Sequence, residues 1–311
     1  MAEHVPAYMA LVESGELSRR VEKARAGMEC CELCPRRCRV NRLEGELGVC
    51  RTGAEAVVSS AGPHFGEERP LVGTGGSGTI FFANCNLLCV FCQNFEISHG
   101  GEGRQMGADR IAGGMLELQE MGCHNVNFVT PGHVAPQILE AVEIAAAHGV
   151  RLPIVYNSSG YDSVETLKLL DGVVDIYMPD VKFLDSGIAK KACNAPDYPA
   201  RVREAVVEMH RQVGDLALDE NGVATRGLLV RHLVLPDGHA GTREVMEFLA
   251  NEVSRDTYVN IMPQWRPMGD VDKVPELDKA LSDSDFRQAL QAAEDAGITR
   301  LDERRRTFLF R

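Results

Sequence analysis

From Thr79 onward the chain alternates short apolar runs with longer amphipathic stretches. Residues 80–83, 125–130, 152–156, 173–178, 227–235 and 258–262 read as strands, and 112–121, 136–148, 164–170, 199–213, 242–253 and 286–296 as helices. Strands that alternate with helices predict an α/β fold with a parallel sheet and right-handed crossovers. Six such units predict a partial (βα)6 barrel of the TIM type over 71–265. It is preceded by a helical and Cys-rich metal-binding segment, 1–70, and followed by a helical extension, 266–311.

In parallel α/β folds a ligand sits at the carboxyl ends of the strands. Those ends read Asn84-Cys85, Thr130-Pro131-Gly132-His133, Asn157-Ser158-Ser159-Gly160, Asp180-Val181-Lys182, Pro236-Asp237-Gly238 and Pro263-Gln264-Trp265. Turns favour such residues anyway, but six polar ends in succession, on the side of a cysteine cluster, mark a pocket. The Gly73–Gly78 stretch feeds a strand rather than opening a helix, so it reads as a turn and not a phosphate loop. Pro63-His64-Phe65-Gly66-Glu67-Glu68 has the chemistry for metal or proton work, although such residues more often cap or line a loop.

Ten cysteines in 311 residues change the picture. Cys85, Cys89 and Cys92 follow the first strand at Cys-x3-Cys-x2-Cys spacing, where three thiolates can converge on one metal centre. Iron–sulfur cubes usually take four cysteines, so three leave one iron open for another ligand. Cys31, Cys34, Cys38 and Cys50 form a second set whose short spacings suit zinc or iron–sulfur alike. Cys30 is a spare beside Cys31, and Cys123 and Cys193 read as ordinary thiols. The net charge of −12 argues against nucleic-acid or anionic-membrane partners. With no signal-peptide pattern and no apolar run of bilayer length, the expectation is a cytoplasmic chain with reduced thiols.

Cys85-x3-Cys89-x2-Cys92, with Phe91 before the last cysteine, resembles the signature of the radical S-adenosylmethionine superfamily. Asp175-Ile-Tyr-Met178-Pro-Asp180-Val-Lys182 and Arg231 are similar to motifs of the glycyl radical enzyme activases of the pyruvate formate-lyase activating type. The resemblance covers about Gly73 to Trp265 and implies a [4Fe-4S] cluster on the three cysteines and S-adenosylmethionine on its open iron. It implies cofactor contacts from Phe91, Thr130, Gly132, His133, Asn157, Ser158, Asp180, Lys182 and Arg231, with a monovalent cation near Asp180 and the Met178 carbonyl. A flavodoxin- or ferredoxin-type electron donor and a partner glycyl radical enzyme, or another protein substrate, complete the expectation. Pro131-Gly132-His133 and Pro263-Gln264-Trp265 depart from activase motifs, and Asn157 stands where an acidic cation ligand is usual. These departures keep two alternatives open: radical modification of another peptide or a small molecule, and a non-catalytic iron–sulfur scaffold or electron carrier.

Overall fold

The computed structural model describes residues 5–302; residues 1–4 and 303–311, at the outer ends of the N- and C-terminal segments, lie outside the described residues. The sheet is built from β1 (Ala56–His64), β2 (Ser77–Phe82), β3 (Arg104–Met106), β4 (Val126–Val129), β5 (Ile154–Ser158), β6 (Ile176–Pro179), β7 (Ala217–Leu218), β8 (Ala224–Leu233) and β9 (Tyr258–Met262). The six strands expected from sequence are β2, β4, β5, β6, β8 and β9, and they pair parallel in that order. Helices Ala108–Glu120, Ala135–Ala147, Val164–Leu169, Tyr198–Val213 and Thr242–Phe248 supply the crossovers.

Period-two alternation divides the buried strand residues between two faces. Ile80, Phe82, Phe128, Tyr156, Tyr177 and Val230 join the main core with the helices. Their neighbours Val155, Ile176, Met178 and Leu229 form a separate cluster, closed by Leu71 from the short helix Arg69–Val72. Both faces are therefore covered, which is why these strands read as continuous apolar runs rather than alternating ones.

Several elements differ from the sequence reading. β1 lies inside the segment expected to be helical and Cys-rich, yet it pairs antiparallel with β2. Its sequence, Ala-Val-Val-Ser-Ser-Ala-Gly-Pro-His, carries small residues and a proline that disguise a strand. Pro63 is tolerated because β3 pairs only with Ala56 to Val58, which leaves the rest of that edge open. β7 and helix Ser186–Cys193 are further additions. The helix expected over 242–253 is α-helical only to Phe248, then widens into a π turn at Leu249–Val253. The N-terminal residues form helices Tyr8–Glu13 and Glu16–Ala26, as their composition predicts.

Candidate functional site

β2 ends in the loop that carries Cys85, Cys89 and Cys92. Asn84 (φ 67°) and Leu88 (φ 56°) adopt left-handed backbone there, an uncommon state for side-chain-bearing residues. The resulting curl aims the Leu87 amide at Cys85 Sγ, 3.4 Å away, and the Leu88 amide also donates to that sulfur. Ser98 Oγ donates to Cys92 Sγ at 3.2 Å, and the Cys193 thiol to Cys89 Sγ at 3.4 Å. Each of the three sulfurs thus has a hydrogen-bond donor directed at it. Burial pushes the Cys85 thiol up to about 12 and raises Cys92, while the Cys193 contact, followed by burial, raises Cys89. Bare, these groups stay neutral; the donors suit sulfurs whose negative charge a metal centre stabilises.

Among the described residues no three His, Cys, Asp or Glu side chains draw together as ligands of a single ion. A four-iron cube spreads its thiolates over separate irons rather than around one tetrahedral ion. Three donor-supplied sulfurs on one loop, those of Cys85 and Cys89 buried and that of Cys92 half-buried, fit that requirement. Cys193, read from sequence as an ordinary thiol, belongs to this surround; no spacing rule links it to a loop 104 residues away.

The strand ends supply a buried charge network. Asp180 Oδ2 pairs with Lys182 Nζ at 2.7 Å, and its Oδ1 accepts from Arg231 Nε at 2.8 Å. Arg231 Nη2 donates to Asn157 Oδ1 at 2.8 Å. The Asp180, Lys182 and Arg231 side chains are only 15–18% exposed, so this is not a surface ion pair. Burial alone would raise the Asp180 carboxyl, but Arg231 and then Lys182 override it and hold it at about 2. Burial likewise disfavours the Lys182 ammonium, which the Asp180 carboxylate keeps charged. The Lys182 charge would favour a thiolate at Cys89 and at Cys92, behind the larger effects of hydrogen bonding and burial. Each Asp180 oxygen accepts one hydrogen bond, Oδ2 from Lys182 and Oδ1 from Arg231.

Two carboxylates enter this network from outside the expected barrel. Glu67 Oε2 lies 3.7 Å from Arg231 Nη1; burial pushes its carboxyl up to about 7 despite the opposing Arg231 charge. Glu68 is buried and accepts from Asn260 Nδ2 at 2.6 Å. The sequence showed a pair of loop acids and gave no sign that the loop tucks beneath the strands.

The other expected contacts brace the loop and the strand ends. Ser158 Oγ donates to Asp162 Oδ2 at 2.7 Å. Thr130 takes φ 61°, a strained state for a β-branched residue, and its amide donates to Asn157 O. A Cβ on Gly132 would meet Asp162 Oδ1 at 2.7 Å. His133 is 1% exposed, and its Nε2 pairs with Ala83 O at 3.1 Å, directly before the cysteine loop. Its Nδ1 meets no hydrogen-bond partner among the described residues, and burial followed by the Arg42 charge lowers its pKa to about 4. Phe91 packs edge-on against Trp265 and Phe183, at 5.3 and 6.4 Å between centroids.

The N-terminal cysteines lie beside this loop. Arg36 donates to the carbonyls of Asn86, Leu87, Cys193 and Asn194 at 2.6–3.1 Å, and its guanidinium lies over the Tyr161 ring. Arg42 donates to His133 O at 2.9 Å. A separate groove of about 780 Å³, lined by residues including Ser60, Arg104 and Arg110, includes none of the cysteines or charged strand-end residues.

Residues 79–220 match the family model of the Radical SAM superfamily. The chain is also similar to an uncharacterized protein of Methanocaldococcus jannaschii, 31% identical over 91% of this chain and 80% of that one.

Proposed function

The chain belongs to the Radical SAM superfamily, and on that footing we propose that it abstracts hydrogen from a glycine of a partner protein, as an activase does. The observation that carries the reading is the loop of Cys85, Cys89 and Cys92, each sulfur with a donor directed at it, inside a Radical SAM family match and alongside the paired charges of Asp180, Lys182 and Arg231 at the strand ends. Cys85, Cys89 and Cys92 would hold a [4Fe-4S] cluster. With S-adenosylmethionine bound, that group supplies the electron for reductive cleavage and the deoxyadenosyl radical that takes the hydrogen. The protein's part is placement and dryness. Asp180, Lys182 and Arg231 present fixed, paired charges to a zwitterionic methionyl group, and Asn157 fixes the Arg231 guanidinium. Phe91, Trp265 and Phe183 wall the loop with apolar rings that exclude water. Six parallel strands in sequential order, with Leu71 closing their inner face, support a partial barrel around the site. A ferredoxin- or flavodoxin-type carrier would deliver the electron.

A second reading, radical chemistry on a small molecule or another peptide, is favoured by the segment after β9. Trp265 packs on Phe91, Asp270 N donates to Val90 O at 2.8 Å, and Gly269 lies against Phe95. That segment crosses the cysteine loop and narrows the room for a partner's loop on this flank. The two readings separate in an anaerobic assay of the reconstituted, reduced protein with S-adenosylmethionine. Deoxyadenosine together with an organic radical on a candidate glycyl radical enzyme supports the first; deoxyadenosine without that radical favours the second. Absence of deoxyadenosine would overturn both.

A further inference from the structure

Sulfur-directed donors are not confined to the loop of Cys85, Cys89 and Cys92. Cys38 Sγ accepts from the Val49 amide at 3.4 Å. Cys31 Sγ has Arg42 Nη1 4.0 Å away. Cys34 accepts from the Arg36 amide and the Asn86 side chain, and Cys50 from the Thr52 amide, while the Thr52 hydroxyl donates to Cys50 O at 3.1 Å. Cys30, by contrast, is exposed. All four sulfurs of the N-terminal set therefore share the feature that marks the cluster loop.

The backbone is bent to bring these thiols together. Arg37, Arg39 and Arg51, next to Cys38 and Cys50, take φ values of 43°, 57° and 51°, a strained choice for three side-chain-bearing residues. A Cβ on Gly48 would fall 2.7 Å from both Cβ and Sγ of Cys38, so only glycine lets the chain return over that thiol. Cys34 interacts electrostatically with both Cys31 and Cys50. The segment's own apolar cluster is small: Met28, Cys31 and Leu33, flanked by Val40 and Leu43. A core that small calls for a staple.

The set is also joined to the first one. Asn86, directly after Cys85, places its side-chain amide between Cys34 Sγ and Tyr161 O, the latter at 2.7 Å. Arg36 binds the carbonyls of Asn86 and Leu87, between Cys85 and Cys89, and that of Cys193 beside Cys89.

We propose that Cys31, Cys34, Cys38 and Cys50 hold a second iron–sulfur cluster, and that Asn86 donates a hydrogen bond to its Cys34 thiolate while forming part of the first cluster's loop. Iron–sulfur is favoured over zinc because the set repeats the feature of the first loop, a hydrogen-bond donor directed at each sulfur. The site does not depend on the radical reading, since it uses none of Cys85, Cys89 or Cys92.

The test is metal and sulfide analysis of the anaerobically reconstituted full chain, with electron paramagnetic resonance after reduction by dithionite. Wild type is expected to carry about eight irons, and Cys31→Ala/Cys34→Ala about four, since each cube holds four irons. A Cys85→Ala/Cys89→Ala/Cys92→Ala variant should retain about four irons and a reduced-cluster signal of its own. In that background, Asn86→Leu should lower the midpoint potential, because a thiolate that loses a donor holds more charge. Wild type with about four irons, or zinc in place of the second set of irons, would overturn the site. An unchanged potential in Asn86→Leu would overturn the role given to Asn86.

Discussion

The thiol of Cys193 stands 3.4 Å from the sulfur of Cys89, delivered there by the end of helix Ser186–Cys193. A hydrogen bond to a cluster thiolate withdraws electron density and raises the reduction potential. Cys193→Ala should therefore lower the midpoint potential of the cluster on that loop while leaving its iron in place. Cys193→Ser, which keeps a donor, should fall between. A redox titration followed by electron paramagnetic resonance decides it, and equal potentials in all three proteins would reduce the contact to packing.

Asp180 neutralises two cations that are themselves mostly buried. Asp180→Asn leaves Lys182 and Arg231 facing each other without their shared counter-charge, at a cost of about 3–5 kcal/mol. Chemical denaturation should register the loss, and calorimetric titration should show S-adenosylmethionine affinity falling with it. A variant as stable as wild type would show that solvent screens the pair far more than its burial implies.

Glu67 gives a pH signature. Its carboxyl is pushed up to about 7, above the ordinary 4.5, so the folded chain binds this proton more tightly than the unfolded one. Stability from this group is complete below about pH 4.5 and is lost as pH rises through 7. Glu67→Gln, which cannot ionise, should be more stable than wild type above pH 7, by about 1–3 kcal/mol. The gap should close near pH 4. Denaturant midpoints across that range are the measurement; a constant gap would assign the effect to packing.

Gly160 sits at φ 74°, and a Cβ there would lie 2.6 Å from Asp180 O and 2.7 Å from Val202 Cγ2. Gly160→Ala should cost on the order of 1–3 kcal/mol from backbone strain alone. It should also weaken S-adenosylmethionine binding, because the displaced atom is the Asp180 carbonyl. Wild-type affinity in a destabilised Gly160→Ala protein would uncouple this turn from the site.

The parallel strands and the three-cysteine loop were legible because each is local. Val126–Val129 and Ile154–Ser158 are buried on both faces and mostly apolar, and Cys85, Cys89 and Cys92 fall within eight residues. What stayed hidden depends on long-range folding. Cys193 and Glu67 reach the site from distant segments that carry no spacing signal. β1 was missed because its serines, glycine and proline are tolerated only where one edge is open. His133 and Trp265, which depart from the activase motifs, have local partners here: Ala83 O for the one, Phe91 and Lys279 O for the other.

The grip of Arg36 sets an order of events during synthesis. Its partners Asn86 and Leu87 emerge from the ribosome about fifty residues after it, and Asn194 follows 158 residues behind. Because chains fold domain by domain as they emerge, the N-terminal cysteines stay undocked until more than half of the chain has been made. Metal delivered to the proposed N-terminal site before that point would meet an unfinished site, so the proposal places its loading after translation of helix Ser186–Cys193.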